Sequence, residues 1–299
     1  METRQPRHRR RGPAAPKKPA PNAFTLSQQT GHRPRTRFLS ADQLDALKRR
    51  SFDLLADYGV VVIHPHAKQA LTRAGARPGS DADRLKLPRE LVALAISQTP
   101  KSLRLCGKTP EFDLDLPRSD GSFVMRTGTG GHGYVDPKDA VYRDLDLRAA
   151  RDIAAIASGL DQVGFIAHPF VAGVPEVTAD IHSYGEIASH TNKHCWLQPY
   201  GKDNVEYLLR IAAVAAGGEA ELRARPSTSV ITCSFSPLEF KYMDSEIIVQ
   251  AGRLGMPIHA CSLPSAGGTA PLSVAGLVLM AAAEVLAMVT LAHVLAPGT

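Results

Sequence analysis

With 299 residues, 44% of them apolar and 21% charged, the chain has the composition of a globular protein with a sizeable core, which excludes wholesale disorder. Its formal charge of +6 is confined to one end, because residues 1–37 hold ten of the 35 Lys and Arg but one of the 29 Asp and Glu, leaving a body of net charge −3. That asymmetry argues against a nucleic-acid-binding body, and four cysteines without a CxxC spacing (Cys106, Cys195, Cys233, Cys261) argue against a disulfide framework or structural zinc and predict reduced, cytoplasmic thiols.

Residues 1–38 read as a disordered basic arm. They carry six prolines before residue 38 and few large apolar groups, too little burial to offset the entropy of ordering. A solvated extension is the default for such a tail, with nucleic-acid binding the alternative. It lacks the apolar stretch of a signal peptide, so secretion is not implied.

Residues 39–125 read as an N-terminal α+β region. Ser40 as a cap and Gln43 three residues on start a helix whose apolar face is Leu44, Leu47, Phe52, Leu54 and Leu55. Tyr58-Gly59 stops it, and 60–63 is a β-branched strand. Further helices are predicted over 67–74 and 88–97, the second opening on Pro88, and short strands near 103–106 and 122–126. The segment 126–133, RTGTGGHG, lacks both the P-loop and the dinucleotide-binding spacing and reads as a structural turn or a lid over a site.

From residue 126 the chain is predicted to be the first half of a barrel, 126–299. Strands at 163–168, 195–198, 229–234 and 257–263 begin roughly 30 residues apart, and helical patterns follow each, at 181–190, 205–216, 244–254 and 273–294. Steady βα alternation implies a parallel sheet with crossover helices and favours a (β/α)8 barrel of the TIM type over an open sheet. Only about four βα units are present, so the expectation is half a barrel, ending where a fifth strand would begin, with an edge that a second copy or another chain must cover.

The strand ends bear the chemistry, because active sites of parallel barrels gather at the carboxyl ends of strands. Here they are His168-Pro169-Phe170, Gln198-Pro199-Tyr200, Ser234-Phe235-Ser236-Pro237 and a loop from Leu263 to Pro271 containing Ser265, Gly267, Gly268 and Thr269. No GxSxG, no HExxH and no carboxylate pair assembles from them, so no catalytic residue is assigned. His168, His182, His190, His194 and His259 are scattered and read as core or surface histidines, and no metal site is predicted. The cysteines read as small hydrophobes. Among Phe165, Phe170, Trp196, Tyr200 and Phe235, about two are expected to face the mouth, where they would attract a cationic amine. The stretch 274–296 is long enough for a membrane span, but Glu284 at its centre favours a buried barrel helix and no membrane contact; that carboxylate then needs a partner or a polar cavity.

The run 257–276, PIHACSLPSAGGTAPLSVAG, continuing into 283–287, AEVLA, resembles the trimethylamine methyltransferase family of corrinoid-dependent amine methyltransferases. SFSPL at 234–238, AAGG at 215–218 and the junction from Leu54-Leu55 to Gly59-Val60 match as well. The resemblance implies a cytoplasmic (β/α)8 barrel that moves a methyl group from a tertiary or quaternary amine, trimethylamine or betaine-like, to the cobalt of a partner corrinoid protein. The chain itself would then bind no cofactor, the cobalamin being carried by that partner. By their positions at the strand ends, rather than from the resemblance, His168, Gln198, Tyr200, Ser234 and Ser236 are expected to orient the methylated amine, the loop with Ser265, Gly267, Gly268 and Thr269 to form a wall, and Glu284 to be a charge partner. The pyrrolysine-bearing region of the family would fall in the second half, so the type of amine stays open. A homo-oligomer is expected to cover the open edges, and the alternatives are an inactive remnant or a non-enzymatic amine-binding or dimerising half-barrel.

Overall fold

The computed structural model describes residues 37–297, so the predicted arm at 1–38 lies almost wholly outside the described residues. A first group of elements comprises α1 (Ala41–Asp57), β1 (Val60–Val62), α2 (Pro65–Arg73), β2 (Arg77–Pro78), β3 (Arg84–Lys86) and α3 (Arg89–Gln98). Gly59 ends α1 in the left-handed region at φ +82°, and a side chain there would collide with the Leu85 carbonyl, so glycine is required where β1 turns in beside β3. Pro65 opens α2, where its missing N–H costs nothing.

Two hairpins follow: β4 (Leu103–Leu105) with β5 (Leu114–Leu116), and, after β6 (Met125–Arg126), β7 (Gly133–Val135) with β8 (Tyr142–Asp144). Then come α4 (Leu147–Ser158), β9 (Val163–Ala167), α5 (Ala179–His190), β10 (His194–Leu197), α6 (Val205–Ala216), α7 (Glu219–Ala224) and β11 (Thr228–Cys233). The described chain closes with β12 (Glu239–Phe240), α8 (Tyr242–Arg253), β13 (Ile258–Cys261) and α9 (Val274–Leu295). Gly217 at φ +99° terminates α6, with the Gly218 N–H reaching back to the Ala213 carbonyl.

The central sheet is parallel throughout, in the order β6-β9-β10-β11-β13. Each strand pairs with the one before it, without the reversal of a doubly wound sheet, and the sheet curls into half a barrel. Alternation sorts the side chains. Ile166, Cys195, Leu197 and Val230 face the helices and join Ala150, Ile187, Leu208 and Ile247 in one core. Ala167, Trp196 and Ile231, with Phe165, Cys233 and Cys261, make up the opposite, inner face. Each large apolar side chain fully buried in the first core contributes about 1.5–3 kcal/mol.

A second core joins distant parts of the sequence. Val61 and Val62 of β1 pair in parallel with Glu239 and Phe240 of β12. Leu55, Val60, Leu71 and Leu87 pack with Leu238 and Phe240 and with Ala283, Ala287, Met288 and Leu291 of α9. By length and composition α9 could cross a bilayer. In the structure it lies along α1, α2, α3 and α8.

One expectation is corrected and one element is added. The predicted strand at 122–126 shrinks to two residues, and those pair in parallel with β9, so the sheet has five strands rather than four: β6 is added ahead of the four expected strands, the last of which is β13. The reason is local: Phe123-Val124-Met125 is an apolar run, but Phe123 and Met125 are exposed, so the run does not carry the signature of a buried strand of the parallel sheet. The helix α4, which completes the unit between β6 and β9 and buries Ala149, Ala150, Ala154 and Ala157, is an addition to the predicted elements.

Candidate functional site

Because the five strands are parallel, their carboxyl ends share one rim. At β9 the chain passes into His168, whose side chain is 1% exposed and accepts the Gln198 N–H on Nε2 at 3.0 Å. That bond assigns the ring proton to Nδ1, which makes no hydrogen bond of ordinary geometry. Burial pushes the His168 pKa down to about 4, so the ring is neutral at pH 7. Beside it, Asp180 is fully buried at the start of α5 and accepts the Tyr200 and Ile181 N–H groups and the Asn204 amide at 2.8–2.9 Å. Burial raises the pKa of Asp180, and its bonds fix the backbone that carries Tyr200.

Tyr200 is the end of an aromatic stack. Its ring lies against Phe170 at 4.2 Å and 25°, and Phe170 lies against His132 at 4.4 Å and 5°. His132 arrives from the glycine-rich segment, which is tied to β9 by Thr127: its Oγ1 accepts the Ala167 N–H and donates to the Ala167 carbonyl. The stack edges a cavity of about 860 Å³ whose lining includes Asp144, Glu176 and Asp203 and no Lys or Arg. Asp203 shares its charge with Lys202 at 2.5 Å; Asp144 and Glu176 have no ion-pair partner among the described residues. The Tyr200 hydroxyl is buried without a hydrogen-bond partner, and burial, then Asp180, push its pKa up, so it stays a neutral phenol. A concave site of aromatic faces and carboxylates suits a cation with apolar substituents.

The other half of the rim is closed on itself. Glu284, fully buried midway along α9, accepts Ser234 Oγ at 2.7 Å, Ser236 Oγ at 2.8 Å and Ser262 Oγ at 2.6 Å on Oε2, and the Leu238 N–H at 2.8 Å on Oε1. These bonds supply the partners that a carboxylate on so apolar a helix requires. Farther out, the Ser265 carbonyl collects the N–H groups of Gly268, Thr269 and Ala270, and Thr269 Oγ1 accepts the Ser265 N–H. Gly267 completes that turn at φ +76°.

The residues selected from sequence thus fall into three places: His168, Gln198 and Tyr200 together; Ser234, Ser236 and Glu284 together; and Ser265, Gly267, Gly268 and Thr269 in an exposed turn of their own. Of the five aromatic candidates, Phe170 and Tyr200 line the cavity. Phe165 and Trp196 belong to the inner sheet face, and Phe235 has its own cation, with Lys241 Nζ 3.3 Å from the ring centroid. Sequence reasoning passed over His132, Asp180 and the carboxylates of the cavity. It passed over Ser262 too, although a signal existed: Cys233-Ser234 and Cys261-Ser262 are the same dipeptide at the same rank of two paired strands.

A curled parallel half-barrel sheet wrapped by helices, with an acidic, aromatic cavity at its carboxyl rim, defines the class as a mixed α/β protein with a partial TIM-like fold. Residues 3–299 match the family model for trimethylamine methyltransferase (MTTB), and the chain belongs to that family. It is 31% identical over 274 residues to trimethylamine methyltransferase MttB1 of Methanosarcina acetivorans, covering 87% of this chain and 53% of that protein. It is 28% identical over 260 residues to trimethylamine methyltransferase MttB of Desulfitobacterium hafniense, covering 87% and 52%. A glycine betaine methyltransferase from Desulfitobacterium hafniense is 23% identical over 270 residues, covering 89% and 55%. The chain spans about half the length of the curated relatives it matches.

Proposed function

We propose that this chain forms the amine-binding part of a methyltransferase barrel of the (β/α)8 type, acting in the cytoplasm on a methylated ammonium with a corrinoid protein as partner. The reduced cobalt of that partner supplies the methyl acceptor. The chain's own task is to hold the amine, exclude water from it and aim one methyl group outward. No acid, base or nucleophile is needed for such an in-line displacement, which agrees with a rim whose His168 and Tyr200 are both neutral.

The observation that carries the reading is the His132-Phe170-Tyr200 stack beside Asp144, Glu176 and Asp203, in a cavity without Lys or Arg. Ring faces and carboxylates attract the ammonium, while no Lys or Arg in the lining offers a charge partner to a substrate carboxylate. Trimethylammonium is therefore favoured over glycine betaine, whose own carboxylate would meet like charge.

Calorimetric titration with tetramethylammonium, trimethylammonium, glycine betaine and tert-butanol tests this. The two cations should bind, betaine more weakly, and tert-butanol, of similar shape without charge, weakest. Phe170→Ala should lower tetramethylammonium affinity roughly 2- to 30-fold, the 0.5–2 kcal/mol of one cation–π face. Equal binding of tert-butanol and tetramethylammonium refutes the site. Appearance of methylcobalamin absorbance on mixing with amine and reduced corrinoid protein tests transfer, and binding without transfer would favour a non-enzymatic amine-binding module.

A further inference from the structure

The inner face of the sheet carries a feature that amine binding does not use. Cys233 and Cys261 are register partners on the neighbouring parallel strands β11 and β13, at the last residue of each. Paired strands lie about 4.8 Å apart. Alternation sends both side chains to the inner face with Trp196 and Ile231, and both are free and half-buried, whereas Cys106 and Cys195 are buried. The thiols are close enough to interact: the pKa of Cys233 is pushed up to about 12 by burial and, next, by the charge and hydrogen bond of Cys261.

We propose that Cys233 and Cys261 form a dithiol site for a monosubstituted trivalent arsenical, a thiophilic centre that bridges two sulfurs. Among the described residues no group of three or more His, Cys, Asp and Glu can hold a metal ion. Two sulfurs alone do not complete a tetrahedral zinc shell, but they do complete an arsenic centre that keeps one organic substituent. The condensation is balanced without an oxidant. Two As–O bonds break and two As–S bonds form, each thiol proton leaves with a hydroxyl of R–As(OH)2 as water, and arsenic stays trivalent. The reaction consumes neutral thiols, so burial does not oppose it at equilibrium. Alkylation by iodoacetamide needs thiolate, and burial suppresses that. The pair should therefore take up an arsenical while reacting slowly with a reagent for single thiols. The second sulfur binds from a fixed neighbouring position, which makes the chelate much tighter than either thiol alone.

The test is titration of the intact, folded chain with phenylarsine oxide. Native mass spectrometry should show one arsenical per chain, retained against excess monothiol and released by 2,3-dimercaptopropanol. Trp196, the only tryptophan of the chain, lies in the same cluster, so its emission should change with the same stoichiometry. Cys233→Ser or Cys261→Ser should each weaken capture by roughly 100-fold or more. Peptide mapping of the wild-type adduct needs no variant, and it should place the arsenic on these two cysteines. Mapping to Cys106 or Cys195, uptake only after unfolding, or undiminished capture by folded single variants would each overturn the site.

Discussion

The two halves of the rim use similar residue types to opposite ends. After β11 and β13, three serine hydroxyls and a backbone N–H converge on Glu284, and every donor is spent inside the protein. After β9 and β10, the buried Asp180 is also saturated, but it fixes Tyr200 at the cavity, while Asp144 and Glu176 stay without ion-pair partners among the described residues at the cavity wall. A carboxylate buried with its donors satisfied reads as architecture, and carboxylates left beside stacked rings read as a place for a ligand.

The strongest way to break this comparison is Glu284→Ala. Four donors lose their acceptor at about 1 kcal/mol or more each, so stability should fall by roughly 3–5 kcal/mol, read as a lower urea midpoint. A loss below 1 kcal/mol would remove Glu284 from its architectural role. Acid probes the neighbouring strands. His168 and His194 are buried neutral, each with its pKa pushed down by burial to about 4, so the unfolded chain binds more protons between pH 6.5 and 4. Stability is complete above 6.5 and falls as pH drops through that window, by on the order of 3 kcal/mol per histidine. Asp244, raised to about 6 by burial, and Asp180, also raised by burial, oppose this because the folded state holds their protons, so the net loss is smaller than the two histidines together. A urea midpoint that is flat or rises from pH 7 to 4.5 contradicts the assignment.

Smaller substitutions sharpen the contrast. Ser262→Ala removes one of four bonds to Glu284 and should cost about 1 kcal/mol, with cation affinity unchanged. Phe170→Ala should reverse the pattern in the β9/β10 half, lowering tetramethylammonium affinity with a smaller effect on stability than Glu284→Ala. Equal effects of both variants on both readouts would mean that the halves are one coupled network.

Strand positions 163–168, 195–198, 229–234 and 257–263 were legible because β-branched and apolar runs at a regular spacing mark buried parallel strands. Helices α5, α6, α8 and α9 were legible for the same reason. A strand at β6 was legible but its place in the parallel sheet was not, and the two-residue β12 was not legible at all, because its pairing partner β1 rather than local sequence defines it. In the site, the proline-punctuated strand ends pointed to His168, Gln198, Tyr200 and Ser234 as rim residues. Which hydroxyls serve Glu284 and which ring stacks on Phe170 depend on loop conformations, and His132 reaches its partner from a segment whose sequence records only glycine flexibility.

The pairing of β1 with β12 has a consequence for synthesis. Strands β9, β10, β11 and β13 each find their neighbour as soon as they emerge, so the curled sheet can grow with the ribosome. Val60, Val62 and Leu55 must instead wait for Leu238, Phe240 and the far side of α9, more than 170 residues downstream. At 5–20 residues per second that interval is roughly 10 to 40 seconds, during which the apolar faces of α1 and β1 lack the cover that Leu238, Phe240 and α9 later provide.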